Sequence, residues 1–287
     1  VLLAVAAAAR QRPVIAIEEP VSARLLFALA PLALKLLPVA CDDQGPQPER
    51  LREALAQGAS AFVYQTRHHN PLGHSVGRRR RDALARVLQS APDVAVIEDD
   101  FLGPLADAPL HSLGERLPGR VVLVRGYCTA FGIDLKTALV GGPVAAIQQI
   151  DKERVHGMAT HSRLLQGALA HLLASSAAGS AVARAHGAYR ARAALLRQAL
   201  HARGVEVHGG DTLVLWVTVH DEVRTLVALA GQGASGGAGS QCFVTAGTRN
   251  RLRIAVTQLP DDPARIDELA DAIAQAEGGE PGESYRY

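Results

Sequence analysis

Lysine is scarce in this chain. Of its 30 basic residues only three are lysine, Lys35, Lys136 and Lys152, and the rest are arginine. Chemistry that needs a primary amine, imine formation above all, therefore has three candidates. Cysteine is as sparse. Cys41, Cys128 and Cys242 form an odd, scattered set, which argues against a disulfide framework and contains no C-x-x-C pair for zinc. A reducing cytoplasm is the natural compartment for it. Aromatic residues make up only 4%, so the core must be built from Ala, Val and Leu. No apolar run reaches the roughly 20 residues that cross a bilayer, and no membrane contact is expected. The apolar stretch Val1 to Ala9 is followed by Arg10 and Arg12, the reverse of the charge order in a signal peptide. The net charge of +2 argues against a strongly cationic nucleic-acid surface. The chain begins without Met inside a helix-like stretch, so a preceding segment is expected.

What is present reads as a globular α/β chain. With 287 residues, 48% hydrophobic and 20% charged, it can bury one large domain with a smaller one appended. Short apolar runs alternate with helical patterns. Val14–Ile17 ends at Glu18-Glu19-Pro20, Ala61–Tyr64 ends near Asn70-Pro71 and Gly73, and Val94–Ile97 ends at Glu98-Asp99-Asp100. Arg120–Val124 and Thr137–Val140 follow. Pro48–Gln57 and Arg78–Gln89 read as helices, as do the segments holding Lys35 and Lys152. Continuous apolar strands between helices predict a parallel sheet covered on both faces, with ligands at the carboxyl ends of its strands. Ala145 to about Arg203 is helical. Beyond it the texture changes: strands at Val205–Val207, Leu213–Val219, Cys242–Val244 and Leu252–Val256, a flexible Gly-rich loop over Gly231–Gly239, and helices over Asp221–Ala230 and Asp261–Ala276. The tail from Gly278 reads as frayed. The expected architecture is a three-layer α/β/α large domain over residues 1–190 with a smaller C-terminal α+β domain over 191–287.

Three segments, in order, carry a resemblance. Tyr64-Gln65-Thr66-Arg67-His68-His69-Asn70-Pro71-Leu72-Gly73 precedes a helix opening with Arg78 to Arg81. Val96-Ile97-Glu98-Asp99-Asp100-Phe101 forms the second, and Leu252-Arg253-Ile254-Ala255-Val256 the third. Together they resemble the aminotransferase-like domain of MocR-type (GntR-family) regulators, within the fold-type I pyridoxal-phosphate superfamily. The resemblance implies that Asp99 faces the pyridine nitrogen of the cofactor and keeps it protonated. It implies that Asn70 hydrogen-bonds the phenolic oxygen, and that Arg253 binds a substrate carboxylate bidentately. It implies a homodimer, an amino-acid-like small-molecule effector, and DNA binding through an N-terminal domain absent from this chain.

The same alignment exposes a loss. The family's reactive segment carries a lysine that anchors the cofactor as a Schiff base, with a phosphate-binding Arg seven residues on. Here Arg125-Gly126-Tyr127-Cys128-Thr129-Ala130-Phe131-Gly132-Ile133-Asp134-Leu135-Lys136 aligns Lys136 with that Arg, and Thr129 with the lysine. Cys128 replaces a phosphate-binding Ser, Phe101 replaces a Tyr, and Val21 stands where a Tyr is frequent. The phosphate-cradling turn would lie before Val1. Threonine cannot form an imine, so no catalytic residue is assigned, and pyridoxal 5'-phosphate is either held non-covalently or lost. The reading is an effector- or cofactor-sensing domain of a transcription regulator. The alternatives are an active aminotransferase anchored at Lys136 and a structural remnant kept for dimerisation. The other clusters read as structural. Arg78–Arg81 is a solvated helix face. Adjacent His68 and His69 point apart with no third ligand spaced for a metal, so none is assigned. Cys128 lacks an activating neighbour and reads as inert.

Overall fold

A computed structural model describes residues 1–9, 13–156, 162–209, 213–245, 247 and 250–278. Its organising element is a seven-stranded sheet in the order β3-β2-β1-β4-β5-β6-β7. The strands are β1 (Val14–Glu19), β2 (Lys35–Asp42), β3 (Gly45–Pro46), β4 (Ala61–Gln65), β5 (Ala95–Asp100), β6 (Val121–Gly126) and β7 (Ala138–Gly141). The five from β2 to β6 in spatial order run parallel, as the continuous apolar runs predict.

Strand alternation explains the layers. Along β4, Phe62 and Tyr64 enter one core and Ala61 and Val63 the other. In β1, Ile15 and Ile17 face opposite to Ala16. On the Phe62 side the sheet is covered by α3 (Pro48–Ala56) and α4 (Arg78–Gln89), through Leu51, Leu84 and Leu88. On the other side α1 (Leu2–Ala9), α2 (Ala23–Leu29) and α6 (Val144–His156) contribute Val5, Leu29 and Ile150. Between β6 and β7 lies the short helix α5 (Cys128–Phe131). No helix among the described residues is long and apolar enough to cross a membrane.

Two helices follow, α7 (Arg163–Ala174) and α8 (Ser176–Ala202), with Ser162 and Ser175 accepting from the backbone N–H groups of Leu165 and Ala178 as N-caps. A second sheet, in the order β10-β11-β9-β8, is built from β8 (Val207–His208), β9 (Val214–Thr218), β10 (Gly237–Ala238) and β11 (Arg251–Ala255). It packs with α9 (Glu222–Gly231), α10 (Pro263–Gly278) and the C-terminal part of α8 around Leu196, Leu200, Leu215 and Ile273.

The structure corrects several expectations. Lys35 opens a strand, not a helix: Leu37 and Val39 alternate inward, and β2 takes its hydrogen bonds from β1 in parallel register. The run Thr137–Val140 forms a strand, yet β7 pairs antiparallel to β6, because the short α5 loop returns the chain directly beside it. Residues 242–244 are not a strand. A 3₁₀ turn covers Ser240–Cys242, and the N–H groups of Val244 and Thr245 bind a carboxylate instead of a ladder. Part of the Gly-rich loop is ordered as β10 against β11. The basic start of α4 is only half solvated. Arg80 holds Asp42 and the carbonyls of Gly45 and Pro46, while buried Arg81 pairs with Asp82 and Glu115. The tail beyond residue 278 lies outside the described residues.

One carboxylate ties the two sheets together. Glu19, at the end of β1, accepts from Val244 N at 2.7 Å, Thr245 N at 2.8 Å and the Thr245 hydroxyl. Beside it, Val21 N donates to Cys242 O at 2.8 Å. Glu19→Ala takes the acceptor from these donors; with Val244 half-buried and Thr245 exposed, water replaces it in part and the total cost is roughly 1–3 kcal/mol. We expect urea unfolding to show a stability loss of that order, with residues 240–245 becoming the first site of proteolysis. An unchanged cleavage pattern would show that the segment is held by other contacts.

Candidate functional site

The carboxyl ends of β4, β5 and β6 lie side by side, with Gln65 opposite Asp99 and Asp100 opposite Arg125. Successive side chains of a strand point to opposite faces, so Asp99 and Asp100 have different surroundings. Asp100 is fully buried and clamped. Arg67 donates to it through Nε at 2.8 Å and Nη2 at 2.9 Å, and Arg125 Nε donates at 2.6 Å. The remaining Arg67 donors reach Gly103 O and Ala108 O. That clamp was not singled out in the sequence; an Asp-Asp pair ending a buried strand was its only signal.

Asp99 is half-buried, and no hydrogen bond reaches its carboxylate from a described side chain. Although part of the residue reaches solvent, burial of the carboxyl dominates. It pushes the pKa up to about 7 against the opposing charge of the Val1 ammonium, with the nearby Glu18 and Asp100 carboxyls adding to the rise. The residue is therefore ready to share a proton with a basic ring nitrogen.

Asn70 is held by its backbone. Gln65 Oε1 accepts from Asn70 N at 2.9 Å and Gln65 Nε2 donates to Asn70 O at 3.2 Å. Gln65 is itself fixed by Glu18, whose Oε1 accepts from Gln65 N and Nε2, both at 2.9 Å. The Asn70 Oδ1 atom is buried without a hydrogen-bond partner. A buried polar atom left unpaired is costly, which is the property expected of a ligand contact.

Glycine permits the close approach of the β5 and β6 exits. Gly103 has φ +51°, and a Cβ there would stand 2.0 Å from Gly126 O. This crossing brings the Phe101 carbonyl over α5, where the Thr129 hydroxyl donates to it at 3.1 Å. The Phe101 ring packs with Leu102, Leu105 and Val182 in an apolar cluster. Cys128, half-buried, opens α5. Tyr127 N donates to Thr137 O at 3.1 Å and closes the loop that carries both Thr129 and Lys136. Lys136 is exposed. The structure thus gathers Asn70, Asp99, Phe101, Cys128 and Thr129 at neighbouring strand ends, with Lys136 exposed in the loop between α5 and β7. Arg253 stands apart on β11. Its guanidinium lies across Gly237, where a Cβ would approach Nε to 3.0 Å, and no described residue forms an ion pair with it.

This architecture defines the class. A parallel sheet with an antiparallel edge strand, site residues at the strand ends and an appended α+β unit is the fold-type I aminotransferase fold. The aspartate aminotransferase of Thermus thermophilus in complex with maleate superposes with TM-score 0.82, covering 96% of this chain and 72% of that one at 20% identity. In sequence the chain is a relative of bacterial transcription regulators, in keeping with the MocR-type motifs. It is 30% identical over 263 residues to the vitamin B6 salvage pathway transcriptional repressor PtsJ of Salmonella typhimurium, covering 91% of this chain and 60% of that protein. It is 26% identical over 191 residues to the HTH-type transcriptional regulator YcxD of Bacillus subtilis, covering 65% of this chain and 42% of that protein. The chain thus spans less than two thirds of the length of these curated relatives. No family model matches it.

The Asp99 carboxyl sets a pH dependence. Its folded-state pKa of about 7 stands above the ordinary value of 3.8, so between those values the folded chain binds more protons than the unfolded one. Its contribution to stability is complete at low pH and is lost as pH rises through about 7. Asp99→Asn should therefore gain stability relative to the parent between about pH 4 and about pH 8 in urea unfolding. A difference that stays constant with pH would place this carboxyl in water.

Proposed function

We propose that the chain is the effector- and cofactor-sensing domain of a MocR/GntR-type transcription regulator, and that Thr129 at the position of the anchoring lysine makes its retention of pyridoxal 5'-phosphate non-covalent. The observation that carries this reading is the environment of Thr129. Its hydroxyl is engaged by Phe101 O, an arrangement a lysine side chain would not reproduce. The ring-orienting groups, by contrast, fit the cofactor. Asn70 offers a buried oxygen without a partner, which would accept from a phenolic hydroxyl, while its Nδ2 would be the donor to a phenolate. Asp99 holds a proton that a pyridine nitrogen can share, because burial raises its pKa. When bound, the cofactor supplies an electron-withdrawing pyridinium ring.

The chain's own residues would then do the recognition. Arg253, without an ion-pair partner among the described residues, would receive the carboxylate of an amino-acid-like effector through a bidentate fork. Lys136 would supply a cation for phosphate. The division into residues 1–190 and 191–287, which falls within α8, would separate cofactor-orienting from effector-binding groups. The names of PtsJ and YcxD and the greater length of both proteins support DNA binding by a domain outside this chain, in a cytoplasmic homodimer.

The test is an absorbance spectrum of the purified protein with pyridoxal 5'-phosphate, before and after borohydride, followed by peptide mass mapping. We expect reversible binding and no reduced adduct on Lys35, Lys136 or Lys152. Thr129→Lys should create one. Asn70→Ala should weaken cofactor binding by about tenfold, or roughly 1.4 kcal/mol, while Arg253→Ala should weaken only the effector. An adduct mapped to Lys136 in the parent protein would instead establish the aminotransferase reading.

A further inference from the structure

A second cluster lies beyond these groups, and chain spacing gives no hint of it. Glu18 is near the end of β1 and Cys41 near the end of the adjacent β2. His69 and His74 belong to the turn after β4, closed by His69 N donating to His74 O at 2.8 Å. The two imidazoles stack with centroids 4.3 Å apart. One nitrogen, sulfur or oxygen atom from each of the four residues falls within 4.8 Å of all the others. We propose that Glu18, Cys41, His69 and His74 form a binding site for a four-coordinate divalent metal of the zinc class.

The strongest support is what these side chains lack. His74 is 7% exposed, His69 0% and Glu18 1%. Both ring nitrogens of His74, Nε2 of His69 and Oε2 of Glu18 are buried with no hydrogen-bond partner. Cys41 Sγ lies 3.9 Å from Val39 O and beside the Glu19 backbone. Buried polar atoms are normally paired, and unpaired atoms on three residues that meet a thiol at one point call for a shared partner. A dication with one thiolate, one carboxylate and two neutral imidazoles is a neutral set, so the site can sit in the interior without net charge. Without the ion, burial drives each group to its uncharged form: Glu18 up to about 8, His69 down to about 3, the His74 ring well below and the Cys41 thiol well above their ordinary values.

The donor set selects the metal. Thiolate and imidazole favour zinc-like ions over magnesium or calcium, which take oxygen ligands. Bonds of about 2.0–2.3 Å put tetrahedral ligands roughly 3.3–3.8 Å apart. His69 Nε2 already stands 3.3 Å from Oε1 of the same Glu18 carboxyl, and since all four ligand atoms lie within 4.8 Å of one another, no pair has to close by more than about 1.5 Å to meet that spacing. Gln65 fixes the Glu18 carboxylate through Oε1, as an outer-shell partner does, and leaves Oε2 free. His69 Nδ1 accepts from Leu72 N at 3.1 Å. Coordination through Nε2 moves the ring proton to Nδ1 and gives up that bond, while Glu18 and Cys41 each release a proton to solvent. Four protein ligands close the site, which makes it structural. It would pin the turn that bears Asn70. The histidines do point apart, since His68 faces Asp107, but the further ligands come from other strands.

The full-length protein carrying this chain, stripped with chelator, should be titrated with Co²⁺ and then Zn²⁺. The expected spectrum shows intense four-coordinate bands and a thiolate charge-transfer band, both removed by Zn²⁺. Cys41→Ser should abolish the charge-transfer band. His74→Gln should weaken binding by more than the roughly 10–100-fold that follows loss of an outer-shell partner. Cys41→Ala serves if His74→Gln is unfolded by circular dichroism, and His68→Gln should bind as the parent does. A six-coordinate spectrum, an undiminished charge-transfer band in Cys41→Ser, or no Co²⁺ uptake would overturn the proposal.

Discussion

The full burial of Asp100 is the constraint around which the strand ends are arranged. A carboxylate removed from water must be neutralised and have its lone pairs occupied. Arg67 and Arg125 do both, from β6 on one side and from the segment following β4 on the other. Arg67 also reaches Gly103 O and Ala108 O, so the same guanidinium fixes the chain leaving β5. With these exits fixed, the crossing at Gly103 and Gly126 places the Phe101 carbonyl beside Thr129. The pocket groups thus stand on a charged, fully paired base.

Strand alternation divides the work between neighbouring acids. Asp100 is committed to its two arginines, while Asp99, one residue earlier, has no side-chain partner among the described residues and a raised pKa. The same division occurs on β1. Glu18 is turned to Gln65 and the histidine turn, whereas Glu19 holds Val244 and Thr245. Each pair reads in the sequence as two like charges after an apolar run. Their opposite roles follow only from which face each side chain meets.

Much of the fold was legible because its strands are continuous apolar runs ended by polar turns. Ala61–Gln65 and Ala95–Asp100 lie close to where periodicity puts them, and α4 spans Arg78–Gln89 as read. The failures have local causes. The Leu- and Ala-rich stretch holding Lys35 carries no strand signal of its own, and its pairing with β1 decides its conformation. Strand direction is not encoded in hydrophobic pattern, so β7 was read as parallel. Residues 242–244 are apolar enough for a strand, but the N–H groups of Cys242 and Phe243 go to the 3₁₀ turn and that of Val244 to Glu19. At the site, ordered motifs single out Asn70, Asp99 and Thr129, and the structure puts the three at adjacent strand ends. The Glu18, Cys41, His69 and His74 grouping was not, because three separate segments build it and no spacing rule links them.

On the proposed reading, the threonine changes what the pocket can do as well as what it has lost. A cofactor anchored as an imine has that bond's free energy added to its non-covalent contacts and is released more slowly. A cofactor held by Asn70, Asp99 and Lys136 alone is in exchange with solution, and its occupancy follows its concentration. Such a ligand biases a conformational equilibrium by its differential affinity for the two states. On that reading Glu19 would supply the coupling. It joins the strand next to the cofactor-orienting groups with the segment leading to Arg253 on β11. An effector carboxylate drawn to Arg253 would therefore act on the end of β1. Reciprocally, the cofactor would shift affinity for the effector by the same factor, so a chain without the lysine can still read two ligands through one carboxylate.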